Sequence, residues 1–338
     1  MPRAKSSSKS TNSQEHKLKV VEGGIEKVGI PKGPQRYYNR EMSWLQFNHR
    51  VLREAENSAH PVLERLRFLS IAASNLDEFY MVRAAGIYGQ ITAGVTTPSQ
   101  DGLTPEQQIT EINRFVANLV AQKQDLWREL TAGMADAGIV VINFDNTTPA
   151  EVAWLEDAFM KRIFPILTPI AVDPAHPFPF IPNKGLTLAV SMQRDKDGET
   201  MTGLIPIPSQ LDRFIRLRLS EEASGEIRFV KVESVISRFI DKLFTGFTVT
   251  GKGAFRVLRD SDIELQEEAE DLVRSFETQL KRRRRGHVIR LELDASMPSE
   301  LQEFVVHELE VGEKEVFVKK GLLGIADTEQ LIVSDKPD

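Results

Sequence analysis

The stretch Pro61–Ile91, PVLERLRFLSIAASNLDEFYMVRAAGIYGQI, constrains the chain more than any other. Proline stands where a first helical residue belongs, and a long helical periodicity follows it. Leu66, Leu69, Ala73, Leu76 and Tyr80 recur at steps of three and four and form one apolar stripe. Phe68, Ala72, Asn75 and Phe79 fall on roughly the opposite side, so an asparagine lies between two phenylalanines, away from the leucine seam. Arg67, Ser70, Ser74, Asp77 and Glu78 make a third stripe, suited to water or a polar partner. Two readings of the aromatic face stay open. It packs against another helix with Asn75 bonded to a neighbour, or it is a platform where a flat ring rests while an amide reads its edge.

Around this helix the chain divides. Residues 1–34 are rich in Ser, Lys, Gly and Asn and read as a flexible, disordered tail. Ser43 with Gln46 makes a capping box for a helix to about Ser58 that buries Trp44, Phe47, Val51 and Leu52. Thr92–Gly102 reads as a loop, and Thr104-Pro-Glu-Gln107 caps a long helix that Gly138 stops. Residues 35–138 are therefore expected to form an antiparallel helical domain. From Ile139 the composition turns β-like. Thr148-Pro-Ala-Glu151 caps one more helix, and the proline-rich run 165–182 must be extended. GLTLAVSMQ and TMTGLIPI flank a hairpin turn at Asp197-Gly198. Further strands are expected over 214–219, 227–230, 254–258, 288–293 and 316–319. Helices near 232–244, 263–283 and 299–308 alternate with them. The whole reads as a multidomain α+β chain, with a mixed α/β domain over 139–338.

Forty-three basic against 49 acidic residues leave a net charge of −6, which gives no global steering to nucleic acid or an anionic membrane. Any polyanion site must be local. The absence of cysteine excludes disulfides and thiolate chemistry and fits a reducing cytoplasm. No apolar run approaches the ~18 residues of a membrane span.

SWLQFNHRVLREA at Ser43–Ala55 and VLERLRFLSIAASNLDEFYMVR at Val62–Arg83 closely resemble the amino-terminal domain of bacterial polyphosphate kinases. VDPAHPFPFIPNKGLTLAV, FRVLRDSDIELQEEAEDL and RRRRGHVIRLELDASMP resemble the second, or head, domain of the same family. The resemblance implies reversible transfer of the terminal phosphate of ATP to inorganic polyphosphate. It implies that Asn75, in SNLDEF, contacts ATP, with Phe68 and Phe79 as possible base-stacking neighbours. ATP or ADP and polyphosphate would be the partners, Mg2+ would accompany ATP without ligands in this chain, and a cytoplasmic homo-oligomer is expected. The family carries catalysis on two C-terminal, phospholipase D-like domains, where a histidine in an H-x-K pattern is phosphorylated. No histidine here is followed two residues later by lysine, so no catalytic residue is assigned and those domains are read as absent. The alternative is a non-catalytic binding or dimerisation module from a truncated or split gene.

Other motifs have plainer explanations. Gly246-Phe-Thr-Val-Thr-Gly251-Lys252-Gly253 nearly spells a phosphate-binding loop, but it precedes a strand and lacks the Ser or Thr for magnesium; its glycines suit a turn. Lys281–Arg285 could grip polyphosphate or simply close a helix that begins acidic. His16, His49, His60, His176, His287 and His307 lack metal-ligand spacing. Asp77 and Glu78 diverge by about 100° on a helix and cannot converge on one proton; Arg67, Ser74 and Arg83 are their expected partners.

Overall fold

A computed structural model describes residues 33–172, 177–218, 225–260 and 286–333, with the backbone of two strands, β1 (His16–Val21) and β2 (Gly24–Gly29). These strands pair antiparallel, from His16↔Gly29 to Val21↔Gly24. That corrects the expectation of a disordered tail over residues 1–34 for this part of it. Leu18 and Val20 alternate with lysines, and a glycine-bearing two-residue connection suits a hairpin. Residues 1–15 lie outside the described ones.

The helical part consists of α1 (Arg40–Glu56), α2 (Val62–Phe79), α3 (Ala85–Thr92) and α4 (Pro105–Asp136). A π-turn, Tyr80–Ala84, joins α2 to α3, so the long periodic stretch is one helix with a widened turn. The Thr104 capping box forms as its sequence demands, and Gly138 follows α4 at φ 78°. α1 differs from expectation. Asn39 caps it by accepting from the Met42 N–H at 2.9 Å, while the Ser43 hydroxyl donates to the Asn39 carbonyl. An asparagine four residues before Ser43 completes the first turn before Ser43 is reached. The buried stripe of α1 is accordingly Leu45, Asn48, Leu52 and Ala55, and Phe47 stands 48% exposed.

Among the described residues nine further strands make two sheets. The larger has the order β11-β10-β9-β5-β6-β4, with β4 (Ile170–Val172), β5 (Leu186–Arg194), β6 (Thr200–Pro206), β9 (Phe247–Arg259), β10 (Val288–Asp294) and β11 (Val316–Lys319). Only β10 and β11 run parallel in it. In the smaller, β3 (Ile139–Ile142) pairs parallel with β8 (Ile227–Lys231), which pairs antiparallel with β7 (Phe214–Arg216). Among its described residues the proline-rich run opens with a 3-10 turn, Phe164–Ile166, rather than extended chain, and contributes the short edge strand β4, as residues lacking N–H groups require. Helices α5 (Pro149–Ala158) and α6 (Val232–Arg238) cover one face of the large sheet with the small sheet. Helix α7 (Ser299–Glu308) covers the other, setting Leu301 and Val305 against Phe255, Val257, Leu291 and Leu293.

The glycine-rich stretch is strand, not loop. Gly251 and Gly253 lie inside β9, and a Cβ on Gly253 would come within 2.4 Å of Met297 Cβ and 2.8 Å of its Cα. The turn is confined to Gly246, at φ 83°. The expected helix near 263–283, the basic run Lys281–Arg285 and His176 lie outside the described residues.

The helical part and the sheets share a core. Leu66, Leu69 and Leu76 of α2 join Ile109, Ile112 and Val116 of α4 in a cluster that also holds Phe229, Leu258, Ile289, Leu322, Ile325 and Leu331. The C-terminal segment is laced back by hydrogen bonds as well. Ser70 Oγ donates to the Ala326 carbonyl, and the Gln124 amide binds both the N–H and the C=O of Leu322.

Candidate functional site

Asn75 lies where α1 crosses antiparallel over α2. Asn48, fully buried, donates from Nδ2 to the Ala72 carbonyl at 2.9 Å, and its Oδ1 accepts from Asn75 Nδ2 at 3.2 Å. A buried amide is tolerated only when both ends are used, and these two bonds use them. Asn75 itself is half-buried. Its Oδ1 and second N–H have no partner among the described residues. The aromatic face thus packs on a helix with Asn75 bonded to it, while half of the Asn75 amide stays available.

The two phenylalanines part company. Phe79 is 1% exposed and stacks on Trp44, with centroids 5.0 Å apart and planes at 26°. Trp44 is half-buried; the Arg83 guanidinium sits 5.9 Å from its ring centre and 3.9 Å from Glu41. Phe68 is half-buried at the other end, 5.4 Å from the His60 ring. At 1.5 Å per residue, Phe79 lies about 6 Å along the axis from Asn75 and Phe68 about 10 Å the other way. The side chains grouped near Asn75 are therefore Asn48, Trp44 and Phe79, with Arg83 and Glu41 beyond. Asn48 was findable in the sequence, since it interrupts the Leu45, Leu52, Ala55 stripe at helical spacing; Trp44 gave no signal beyond core.

Of the third stripe of α2, Arg67, Ser74 and Glu78 are exposed, Ser70 is buried against the C-terminal segment, and Asp77 faces the large sheet. Arg256 of β9 binds Asp77 through two bonds, Nη1–Oδ1 at 3.1 Å and Nη2–Oδ2 at 2.5 Å. Glu292, directly opposite Arg256 in the β9–β10 register, accepts from Arg290 Nε at 2.9 Å and from Lys319. Burial works against the Glu292 carboxylate, but Lys319, Arg290 and Arg256 hold its pKa well below the usual range. Arg290 lies between two rings, its guanidinium carbon 3.7 Å from the Phe317 centre and 4.5 Å from that of Tyr80. This row fixes Asp77, and α2 with it, onto the sheet two residues from Asn75. The expected partners Arg67, Ser74 and Arg83 give way to Arg256 because Asp77 points into the sheet while Glu78 points to solvent.

Among the described residues no group of three or more His, Asp or Glu side chains is placed to hold a metal ion. No described helix is long and apolar enough to cross a membrane.

Two family models match the chain: the polyphosphate kinase N-terminal domain over residues 37–142 and the polyphosphate kinase middle domain over 150–331. The polyphosphate kinase of Erythrobacter litoralis is 46% identical over 304 residues, covering 90% of this chain and 42% of that protein. The polyphosphate kinase of Mycolicibacterium gilvum is 38% identical over 309 residues, covering 91% and 42%. The crystal structure of polyphosphate kinase from Porphyromonas gingivalis superposes with a TM-score of 0.71 at 26% identity, covering 89% of this chain and 42% of that one. The chain thus spans well under half the length of these relatives.

Proposed function

The chain belongs to the polyphosphate kinase family, and from that premise we propose that it forms the nucleotide-facing and head portions of an enzyme that reversibly moves the terminal phosphate of ATP onto inorganic polyphosphate. The observation that carries the reading is the half-used amide of Asn75, fixed by Asn48 with an acceptor and a donor free. That pair complements the donor and acceptor edge of adenine; a ribose or phosphate oxygen would take the N–H alone. Phe79 would support the base site from beneath the half-buried Trp44, with Arg83 over the same ring, and Phe68 lies farther along the helix. Phosphoryl transfer itself is assigned, by the family resemblance, to a histidine in an H-x-K pattern, which none of the six histidines here matches. Mg2+ would arrive with ATP and offset phosphate charge. Asp77 is committed to Arg256, so no carboxylate beside Asn75 is assigned to the ion. Self-association through the head portion and a cytoplasmic location, where ATP is supplied, complete the proposal.

The test is Asn75→Ala at the matching asparagine of a full-length relative, read as ATP affinity and melting temperature. One polar contact is worth about 0.5–1.5 kcal/mol net, so ATP should bind roughly threefold to tenfold more weakly. Melting should fall only slightly, because the leucine seam is untouched. Unchanged ATP affinity with a large fall in melting temperature would make Asn75 a structural residue only.

A further inference from the structure

The two amides at the crossing of α1 and α2 are tied in a fixed order. The Ala72 carbonyl can only accept, so Asn48 must turn its Nδ2 toward it, and it does so at 2.9 Å. That leaves Asn48 Oδ1, which also can only accept, facing Asn75, so Asn75 must present its Nδ2, at 3.2 Å. The direction of the Asn75 amide is thus dictated from the backbone of α2, through a side chain with no exposed surface. Turning the Asn75 amide over would set its oxygen against that of Asn48. Turning both amides over would set the Asn48 oxygen against that of Ala72. Either arrangement strands a buried acceptor and opposes two oxygens, which is costly.

The order decides what the remaining edge can take. Asn75 Oδ1 and its second N–H have no partner among the described residues. Ile71, one turn earlier on α2, is 40% exposed, and Phe47, next to Asn48 on α1, is 48% exposed. Open apolar surface with an amide that offers one acceptor and one donor suits a flat heteroaromatic ring. The purine bases differ at the edge such an amide reads: at position six adenine carries an amino donor, and guanine a carbonyl acceptor. An amide able to turn over takes either base by exchanging its oxygen and nitrogen. A fixed amide matches one order only.

We propose that Asn48 is the positioning residue that sets base selectivity at Asn75: by keeping the amide from turning over, it admits adenine nucleotides and rejects guanine nucleotides. This role rests on the nucleotide reading of Asn75 and narrows it to the base, since a ribose or phosphate contact would be the same for both. Asn48 is fully buried, so it acts through Asn75 and not on the ligand. A bidentate amide contact separates the matching base from the other by about fivefold to a hundredfold. Without the lock, about half of the molecules present the order for adenine, so ATP should bind about twofold more weakly. Its preference over GTP should collapse.

The experiment takes a full-length polyphosphate kinase that carries both asparagines. Calorimetry reads the Kd of non-hydrolysable ATP and GTP analogues with Mg2+, and melting temperature is read alongside. The unsubstituted enzyme should favour the ATP analogue by about fivefold or more. In Asn48→Leu, which keeps the size and removes both hydrogen bonds, the two Kd values should come within about twofold of each other. Asn48→Asp keeps an oxygen that accepts from Asn75, so it should melt lower, as Asn48→Leu does, yet retain the preference. A residue that only supports the fold would lower melting in both variants and leave the preference unmoved. An unchanged preference in Asn48→Leu therefore overturns the proposal. Loss of preference in Asn48→Asp, or none in the unsubstituted enzyme, overturns it as well, so the test stands even where Asn48→Leu folds poorly. Asn75→Ala separates the two roles. If it weakens ATP binding while Asn48→Leu keeps the preference, only the selectivity role of Asn48 falls; if it leaves ATP affinity unchanged, both fall.

Discussion

Asp77 follows Asn75 by two residues, and its carboxylate meets a guanidinium 179 positions away in sequence. The stripes of α2 were legible because they depend only on 100° per residue; Leu66, Leu69, Ala73, Leu76 and Tyr80 are all buried as the spacing requires. The partner of Asp77 was not legible, because nothing local distinguishes an aspartate facing water from one facing a distant arginine. The difference has a measurable cost. Asp77→Ala leaves Arg256 buried at 4% exposure with only Glu292, 3.7 Å away, in partial compensation. Breaking such a pair costs about 3–5 kcal/mol, and the remaining carboxylate places this one near the lower end. Arg256→Met alone should also destabilise, since it strands Asp77. The double variant Asp77→Leu/Arg256→Met should lose less than the sum of the two, with a coupling of about 2–3 kcal/mol from urea denaturation. Strict additivity would mean that the two groups do not depend on each other.

Among the elements, those with reciprocal end signals came out as read. Thr104 and Thr148 both form complete capping boxes with Gln107 and Glu151, and Pro follows each cap. α1 shows where that logic stops: Ser43 and Gln46 have the right spacing, but Asn39 caps first. β9 shows a second limit. Its glycines read as a turn because glycine is permissive of turns, whereas here it is required by what crosses the strand. Met297 lies against Gly253 and Pro298 against Gly251, with a Cβ at Gly251 reaching 3.0 Å from the proline ring. That crossing is set by the turn after β10, which no local pattern around Gly253 reveals. Gly253→Ala should therefore displace the Met297 backbone and cost about 1–3 kcal/mol or more in urea, as overpacking does. Gly246→Ala strains only its own left-handed φ, with open space around it, so its cost should be about 1 kcal/mol. Equal costs at the two positions would contradict the crossing argument.

At the scale of the whole molecule, the break in composition at Ile139 marks a change of secondary structure rather than a break in the core. Leu322, Ile325 and Leu331, at the far end of the described chain, lie in the same apolar cluster as α2 and α4. The family boundary near residues 142–150 is thus a boundary of sequence, and the charged row of β9, β10 and β11 seals the two parts together. Because that seal contains lysines held below their ordinary range, stability should depend on pH in a definite direction. Lys123 is brought to about 7, by burial first and Lys319 second. Lys319 is brought to about 8, by burial first, with Glu292 opposing the shift and Arg290 adding to it. Both return to about 10.4 in the unfolded chain. Between these limits the unfolded chain binds more protons than the folded one, so unfolding becomes less favourable as pH rises. The penalty is complete below pH about 7 and is relieved above it, at up to about 1.4 kcal/mol per pH unit for each lysine. Tyr80 and Tyr88, raised above 10.0 by burial, reverse the trend once unfolded tyrosines begin to ionise. The urea midpoint should therefore climb from pH about 7 to about 9 and fall beyond about 10. Lys123→Met should raise the midpoint at pH about 7 and flatten the climb, since it removes the group whose discharge drives the first part of it. A midpoint that is level or declining from pH about 7 to 9 in the unsubstituted chain would show that these lysines keep their protons at no cost.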